Sequence, residues 1–182
     1  MDNLFGKFTR KTKKKPEKQN DEECKPKEEE PLNFKVVFVG WSAVGTKTSF
    51  IYRYVRNVFP DNVEPTIGTA FCVNRTVSRG RKVKLEIWDS PGMPRYRSLE
   101  PMFYRGAAGV VVGYDVTQKG SLEWAREHYK ILIEIGCPDA VVMVIGSKID
   151  FVFEDESMRG VSVEEGEELA RELGASLFFE GK

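Results

Sequence analysis

Apolar residues in this chain fall into two kinds of run, and their spacing predicts strands alternating with helices. Phe34-Lys35-Val36-Val37-Phe38-Val39 is a short, β-rich run closed by Gly40. Val73 to Ser78 and Lys82 to Trp88 flank Arg79-Gly80-Arg81, which predicts a hairpin. Val110-Val111-Val112 and Val141-Val142-Met143-Val144-Ile145 are continuous apolar runs, the pattern of parallel strands buried on both faces. Helical periodicity lies between the strands. Phe50, Tyr54 and Val55 mark one helix, Leu122, Trp124, Ala125 and Tyr129 a second, and Val163 to Leu173 a third. Ser162, with Glu165 three positions on, predicts a capping box for the last of these. Such alternation implies an α/β fold whose ligands bind at the carboxyl ends of the strands.

Residues 1–33 do not share the pattern. A basic block (Lys7, Arg10, Lys11, Lys13, Lys14, Lys15, Lys18) is followed by an acidic one (Asp21, Glu22, Glu23, Glu28, Glu29, Glu30), with Pro16, Pro26 and Pro31 between and after them. So little apolar surface does not offset the entropy of ordering, so this stretch is expected to be a disordered extension ahead of a domain covering 34–182. Its lysines, with Phe5 and Phe8, suit weak contact with an anionic membrane, but a solubilising tail whose two blocks partly neutralise each other is the favoured reading. Asp2 excludes myristoylation, which needs glycine there.

Charge narrows the field. Lys and Arg number 28 and Asp and Glu 28, so the chain is neutral, which argues against a dedicated nucleic-acid binder. Cys24, Cys72 and Cys137 are scattered and form no CxxC pair. This disfavours a zinc ribbon or a secreted disulfide scaffold and points to a reducing, cytoplasmic setting, with no case for a reactive thiol. No apolar run approaches the ~20 residues of a membrane span. His128, the single histidine, is expected on a helix surface.

The segment Gly40-Trp41-Ser42-Ala43-Val44-Gly45-Thr46-Lys47-Thr48-Ser49 follows a strand and opens a helix. A P-loop of form G-x-x-x-x-G-K-[ST] aims backbone N–H groups and a lysine at phosphates. Here Thr46 stands where lysine belongs, and Lys47 arrives one residue late. Two further tetrapeptides lie on predicted strand ends. Asp89-Ser90-Pro91-Gly92 has the form D-x-x-G, with an acid placed to hold Mg²⁺. Ser147-Lys148-Ile149-Asp150 ends in a carboxylate able to accept paired hydrogen bonds from a guanine edge, and Glu64-Pro65-Thr66-Ile67-Gly68 lies between the first helix and second strand.

In this order the landmarks resemble the Ras superfamily of small GTPases and, within it, the Rab family, from about Phe34 to the last residue. Trp88-Asp89-Ser90-Pro91-Gly92 is similar to W-D-T-A-G, and Arg95 to Ala107 and Pro65 to Phe71 resemble early-endosomal Rabs. The resemblance implies a G domain with a mostly parallel six-stranded sheet and helices on both faces. Implied nucleotide-binding residues are Ser42, Ala43, Val44, Gly45, Thr46, Lys47, Thr48 and Ser49, with Phe59 against the guanine. Thr66 and Gly92 would meet the γ-phosphate, and Ser147, Lys148 and Asp150 the base. Thr48, Thr66 and Asp89 would hold Mg²⁺, with GTP and GDP as ligands. Phe71, Trp88 and Phe103 match the aromatic triad that meets effectors; core packing is the alternative, but an exposed aromatic cluster beside the switches favours effector contact. An exchange factor and a GAP would be further partners, at endosomal or other vesicle membranes.

Departures from the family bear on activity. Met93 stands where a glutamine orients the attacking water, and a thioether offers no N–H for that task. Pro91 and Pro94 fix two φ angles around it. Thr46 threatens to rotate Lys47 by ~100° if the helix shifts by a residue. Slow hydrolysis is therefore expected; the competing function is a pseudo-GTPase interaction module, and a P-loop kinase or ATPase is disfavoured by the guanine-type turn. After Leu177-Phe178-Phe179-Glu180 the family has a final helix, whereas here Gly181 and Lys182 follow. That helix is expected to be missing, which suggests part of a longer chain with a second domain. No prenylation cysteine stands at this terminus.

Overall fold

The computed structural model describes residues 30–41, 46–59, 70–90 and 100–181. Its elements are β1 (Leu32–Gly40), α1 (Thr46–Arg56), β2 (Ala70–Ser78), β3 (Arg81–Asp89), α2 (Glu100–Tyr104), β4 (Gly109–Asp115), α3 (Lys119–Gly136), β5 (Val141–Ser147), α4 (Ile149–Glu154), α5 (Val163–Glu172) and β6 (Leu177–Gly181). The six strands form one sheet in the order β2-β3-β1-β4-β5-β6. Only β2 runs antiparallel to its neighbour, joined to β3 by a two-residue turn. Arg79 (φ 48°) and Gly80 (φ 77°) both have positive φ, as a tight hairpin matched to strand twist requires. Arg81, expected within that turn, is already the first residue of β3.

Side-chain alternation assigns each strand residue to one of two cores. Val37, Val39, Val110, Val112, Tyr114, Val142 and Val144 pack with Leu122 and Ala125 of α3 and Leu169 and Ala170 of α5. On the opposite face Phe38, Ile87, Val111 and Ile145 pack with Ile51 of α1. Each fully buried Val, Leu or Ile contributes about 1.5–3 kcal/mol, so the sheet is held from both sides where helices cover it. Coverage is unequal. Val141, expected to be buried as part of a two-faced run, is 61% exposed, and Leu177 is 58% exposed. Both lie towards the amino ends of their strands, on the face where α1 packs over the carboxyl ends.

His128 also departs from expectation: it is buried, 3% exposed. Ser121, Leu122, Ala125 and His128 recur at helical spacing along the inner stripe of α3. The imidazole stacks on Trp124 with ring centroids 3.5 Å apart, and Nδ1 lies 3.0 Å from the Trp124 carbonyl oxygen.

The predicted capping box is present: the Glu165 N–H donates to Ser162 Oγ and the Ser162 N–H to Glu165 Oε2. One turn in, Gly166 occupies a helix interior where alanine would ordinarily be preferred. The reason is Tyr114. Its buried hydroxyl donates to Glu180 Oε1 at 3.3 Å, and Glu180 receives two bonds from Arg159 at 3.0 and 2.9 Å. Burial, and then Glu180, push the Tyr114 phenol well above its ordinary pKa. A Cβ at Gly166 would overlap that hydroxyl and lie 2.9 Å from the Phe178 ring, while Gly146 hems the hydroxyl from the sheet side. Gly166→Ala should therefore destabilise by about 1–3 kcal/mol in thermal unfolding, overriding the gain of about 0.5–1 kcal/mol in helix propensity. Adding Tyr114→Phe should recover part of the loss; an unchanged midpoint for Gly166→Ala alone would contradict this packing.

Candidate functional site

Four neighbouring strands, β3, β1, β4 and β5, end side by side, and the chemically expected residues stand at those ends. Gly40 closes β1. A Cβ there would come 2.8 Å from the Gly113 carbonyl oxygen of β4 and 3.3 Å from Lys47 Cγ, so no larger residue fits. Of the residues that follow, Ser42 to Gly45 lie outside the described residues, as does the Thr46 side chain. The backbone of α1 begins at Thr46, which makes Lys47 its second residue and Thr48 its third.

Lys47 is not turned away. Its side chain is 6% exposed, and Nζ donates to the Gly40 carbonyl oxygen at 2.6 Å. Burial lowers the ammonium pKa, with Asp89 acting in the opposite sense. The adjacent Thr48 donates through Oγ1 to Asp89 Oδ2 at 2.6 Å. Asp89 is 2% exposed at the end of β3, in register with Phe38 of β1. Ser49, next along α1, is buried. The late lysine thus lies against the carboxyl end of β1. A cavity of about 100 Å³ between α1 and β2 borders the Thr48–Asp89 pair.

The candidate base-binding residues gather at the ends of β4 and β5. Ser147 is buried and donates through Oγ to the Tyr114 carbonyl oxygen at 2.8 Å, tying the two strand ends together. Lys148 has φ 68°, a left-handed conformation that costs a non-glycine residue and recurs at binding sites. Its Nζ lies 3.0 Å from Asp115 Oδ2, and the Asp115 side chain is fully buried. Asp150 follows in the first turn of α4. Phe59 lies just beyond α1 and is 44% exposed. Thr66, Gly92 and Met93 lie outside the described residues, as do Pro91 and Pro94.

Phe71, Trp88 and Phe103 form a continuous aromatic chain, with centroids 5.0 Å apart for the first pair and 6.4 Å for the second. Phe71 is half exposed, while Trp88 and Phe103 pack partly against the α3 side of the core. The Trp88 Nε1–H is buried with no acceptor among the described residues. Among the described residues the thiols offer little chemistry: burial pushes Cys72 above its ordinary pKa, and Cys137 donates to the Tyr104 carbonyl oxygen at 2.7 Å.

Two residues have roles that the sequence reading did not assign. Asp115 Oδ1 accepts from the Thr117 N–H at 2.8 Å and from Thr117 Oγ1 at 2.7 Å, leaving Oδ2 to face Lys148. The D-x-T spacing is itself the signature of such a turn. Lys35 on β1 donates to the Arg105 carbonyl oxygen at 2.9 Å and lies 5.0 Å from the Trp88 ring centroid, bracing α2 against the aromatic chain. No periodicity would single it out.

Lys47 yields a test of this geometry. Its pKa is lower folded than unfolded, so between those values the unfolded chain binds more protons and stability rises with pH. Lys47→Met removes a buried charge while keeping length. In the nucleotide-free protein it should leave stability unchanged or raise it by up to about 2 kcal/mol, and flatten the alkaline rise. A denaturation midpoint that falls clearly would contradict a desolvated ammonium here.

Comparison with known proteins covers this whole unit. Residues 35–181 match the family model described as "Ras family". Ras-related protein Rab-5A of Dictyostelium discoideum is 40% identical over 149 residues, which cover 82% of this chain and 71% of that one. GTP-binding protein ypt5 of Schizosaccharomyces pombe is 41% identical over 156 residues, covering 85% and 72%. Ras-related protein RABA5c of Arabidopsis thaliana is 40% identical over 146 residues, covering 80% and 65%. Similarity that starts inside β1 and runs to the last residue of β6, shared with several Rab proteins at two residues in five, has one reading: the chain belongs to the Ras family of small GTPases, on its Rab side.

Proposed function

We propose that this chain is a Rab-type switch that binds GTP and GDP with Mg²⁺ and hydrolyses GTP slowly, acting in vesicle traffic. The observation that carries the reading is the placement of Lys47 and Thr48. Despite its late position, Lys47 lies against Gly40 at the mouth of β1, and Thr48 meets Asp89. An anion arriving at the mouth of β1 would find the start of α1 and a desolvated ammonium, a combination suited to phosphate.

Mg²⁺ fits the donor set. Thr48 and Asp89 bring a hydroxyl and a carboxylate oxygen within 2.6 Å of each other, the hard donors such an ion takes. Among the described residues no cluster of three or more His, Cys, Asp or Glu side chains makes a self-sufficient metal cage. That agrees with an ion held jointly by one or two side chains and nucleotide phosphates. Thr48 and Asp89 would hold it, with Thr66 joining when a γ-phosphate is present; the ion would supply charge neutralisation at the phosphates. Lys148, braced by Asp115, would lie along the base, and Asp150 would accept from its amidine edge.

Phe71, with Trp88 and Phe103 behind it, is the proposed meeting place for effectors, and an exchange factor and a GAP would act on the same cycle. Peripheral residence on vesicle membranes, endosomal in type, is part of this reading. No helix among the described residues is long and apolar enough to cross a membrane. The competing reading, a pseudo-GTPase scaffold, draws on the same lysine: Nζ already has an acceptor in Gly40, which a phosphate must share or displace.

Calorimetry with GDP and Mg²⁺ separates the two. Binding with thermal stabilisation is expected; no heat and no stabilisation at millimolar nucleotide would leave the scaffold. Asp150→Asn should weaken GDP by roughly 10- to 100-fold and relax discrimination against ATP, since a charged hydrogen-bond acceptor is lost. For hydrolysis, Met93→Gln should accelerate single-turnover GTP cleavage by about tenfold or more by restoring a group that orients water. Equal rates for the two proteins would remove Met93 as the cause of slow turnover.

A further inference from the structure

The neutrality of the chain hides an uneven distribution of charge. The β2–β3 hairpin, from Phe71 to Trp88, carries Arg75, Arg79, Arg81, Lys82 and Lys84 against a single acid, Glu86. That acid is already engaged, its Oε1 lying 2.6 Å from Lys84 Nζ. Arg75, Arg79, Arg81 and Lys82 are exposed, and among the described residues no acidic side chain pairs with the three arginines. Arg75 stands directly opposite Lys84, a like-charge pair that costs a hairpin stability unless an anion joins it. Arg75, Lys82 and Lys84 share the face of Trp88, on the α3 side of the sheet. β2 is the edge of the sheet, so no further strand brings a counter-charge.

Strand register selects the anion. β1 pairs in parallel with β3, Leu32 beside Val83, so the chain enters the sheet one residue past the level of Lys82. Pro31 holds the residue before it extended, which keeps Glu30 in line with β1 and close to the level of Arg81. Glu28, Glu29 and Glu30 lie within four residues of Leu32, a reach of at most ~14 Å. Asp21, Glu22 and Glu23 stand further back, with Lys25 and Lys27 between. The basic block ends at Lys18, so folding Glu28 onto it costs a closed loop, whereas the hairpin is alongside. A tether this short keeps the carboxylates at ~mM effective concentration, far above that of a second copy in dilute solution.

We propose that the acidic run Glu28-Glu29-Glu30 docks in cis on the β2–β3 hairpin, its carboxylates shared among Arg75, Arg79, Arg81 and Lys82. A single exposed ion pair contributes little, so the contact depends on several carboxylates meeting several cations and weakens with salt. An anionic partner that approaches the hairpin must first displace this run. Nucleotide binding plays no part in the contact.

The test treats the whole 182-residue protein, at micromolar concentration and low salt, with a water-soluble carbodiimide. This reagent joins a carboxylate to a lysine amine in contact with it as an amide, with loss of water. Amides within one chain should link Glu28, Glu29 or Glu30 to Lys82 or Lys84, with a yield unchanged on dilution and roughly fivefold lower at ~1 M salt. A second measurement follows the backbone order of residues 28–30 by NMR relaxation. Arg79→Glu with Arg81→Glu should lower that order to the level of a free chain end. Adding Glu28→Lys, Glu29→Lys and Glu30→Lys to the same protein should restore it. Amides to Lys11, Lys13, Lys14 or Lys15 instead would give the run to its own basic block, and amides joining two chains would give it to a second copy. Either result, or backbone order that ignores the charge reversal, overturns the proposal.

Discussion

A lysine ammonium held almost out of water against the carbonyl that ends β1 governs this end of the molecule. A charge in that position is tolerated only where oxygen atoms surround it, and Gly40 and Asp89 provide them. The same demand explains Gly40, since any side chain would strike the β4 backbone and the lysine stem together. Thr48 can reach Asp89 only if α1 starts in the register that buries Lys47. Lysine, threonine, glycine and aspartate are thus one geometric solution rather than four separate features.

Around that solution the sheet works as a ruler. Parallel pairing brings the ends of β3, β1, β4 and β5 level, so residues distant in sequence come to a common rim. Side-chain bonds then lock neighbouring ends: Ser90 to Phe38, Ser147 to Tyr114, and Lys148 to Asp115. The left-handed Lys148 stands at the junction of β5 and α4, with its side chain held by Asp115.

Much of this was legible in the chain, for identifiable reasons. Valine runs marked β4 and β5, the Arg79-Gly80 pair marked the hairpin, and Ser162 with Glu165 marked the start of α5 at its observed residue. Strand ends were less visible: β2 begins at Ala70 rather than Val73, since pairing with β3 extends through Phe71 opposite Trp88 regardless of residue preference. The short α2 and α4 were missed because five or six residues carry no period. His128 went astray because polarity was weighed above its place on the Ala125 stripe. At the site, motifs found Lys47, Asp89 and Asp150, whereas Asp115 and Lys35 act through contacts between strands that no linear string displays.

Strand order also bears on how the protein emerges from a ribosome. β1 lies in the middle of the sheet and is synthesised first, so it waits for both neighbours. The β2–β3 hairpin can close locally and then zip onto one side, after which β4, β5 and β6 add outward on the other in order of synthesis. Each arriving strand meets an edge already built, and none must be inserted between two others. A nascent chain of this topology can accumulate sheet from the inside out, exposing one unsatisfied edge at a time on its growing side.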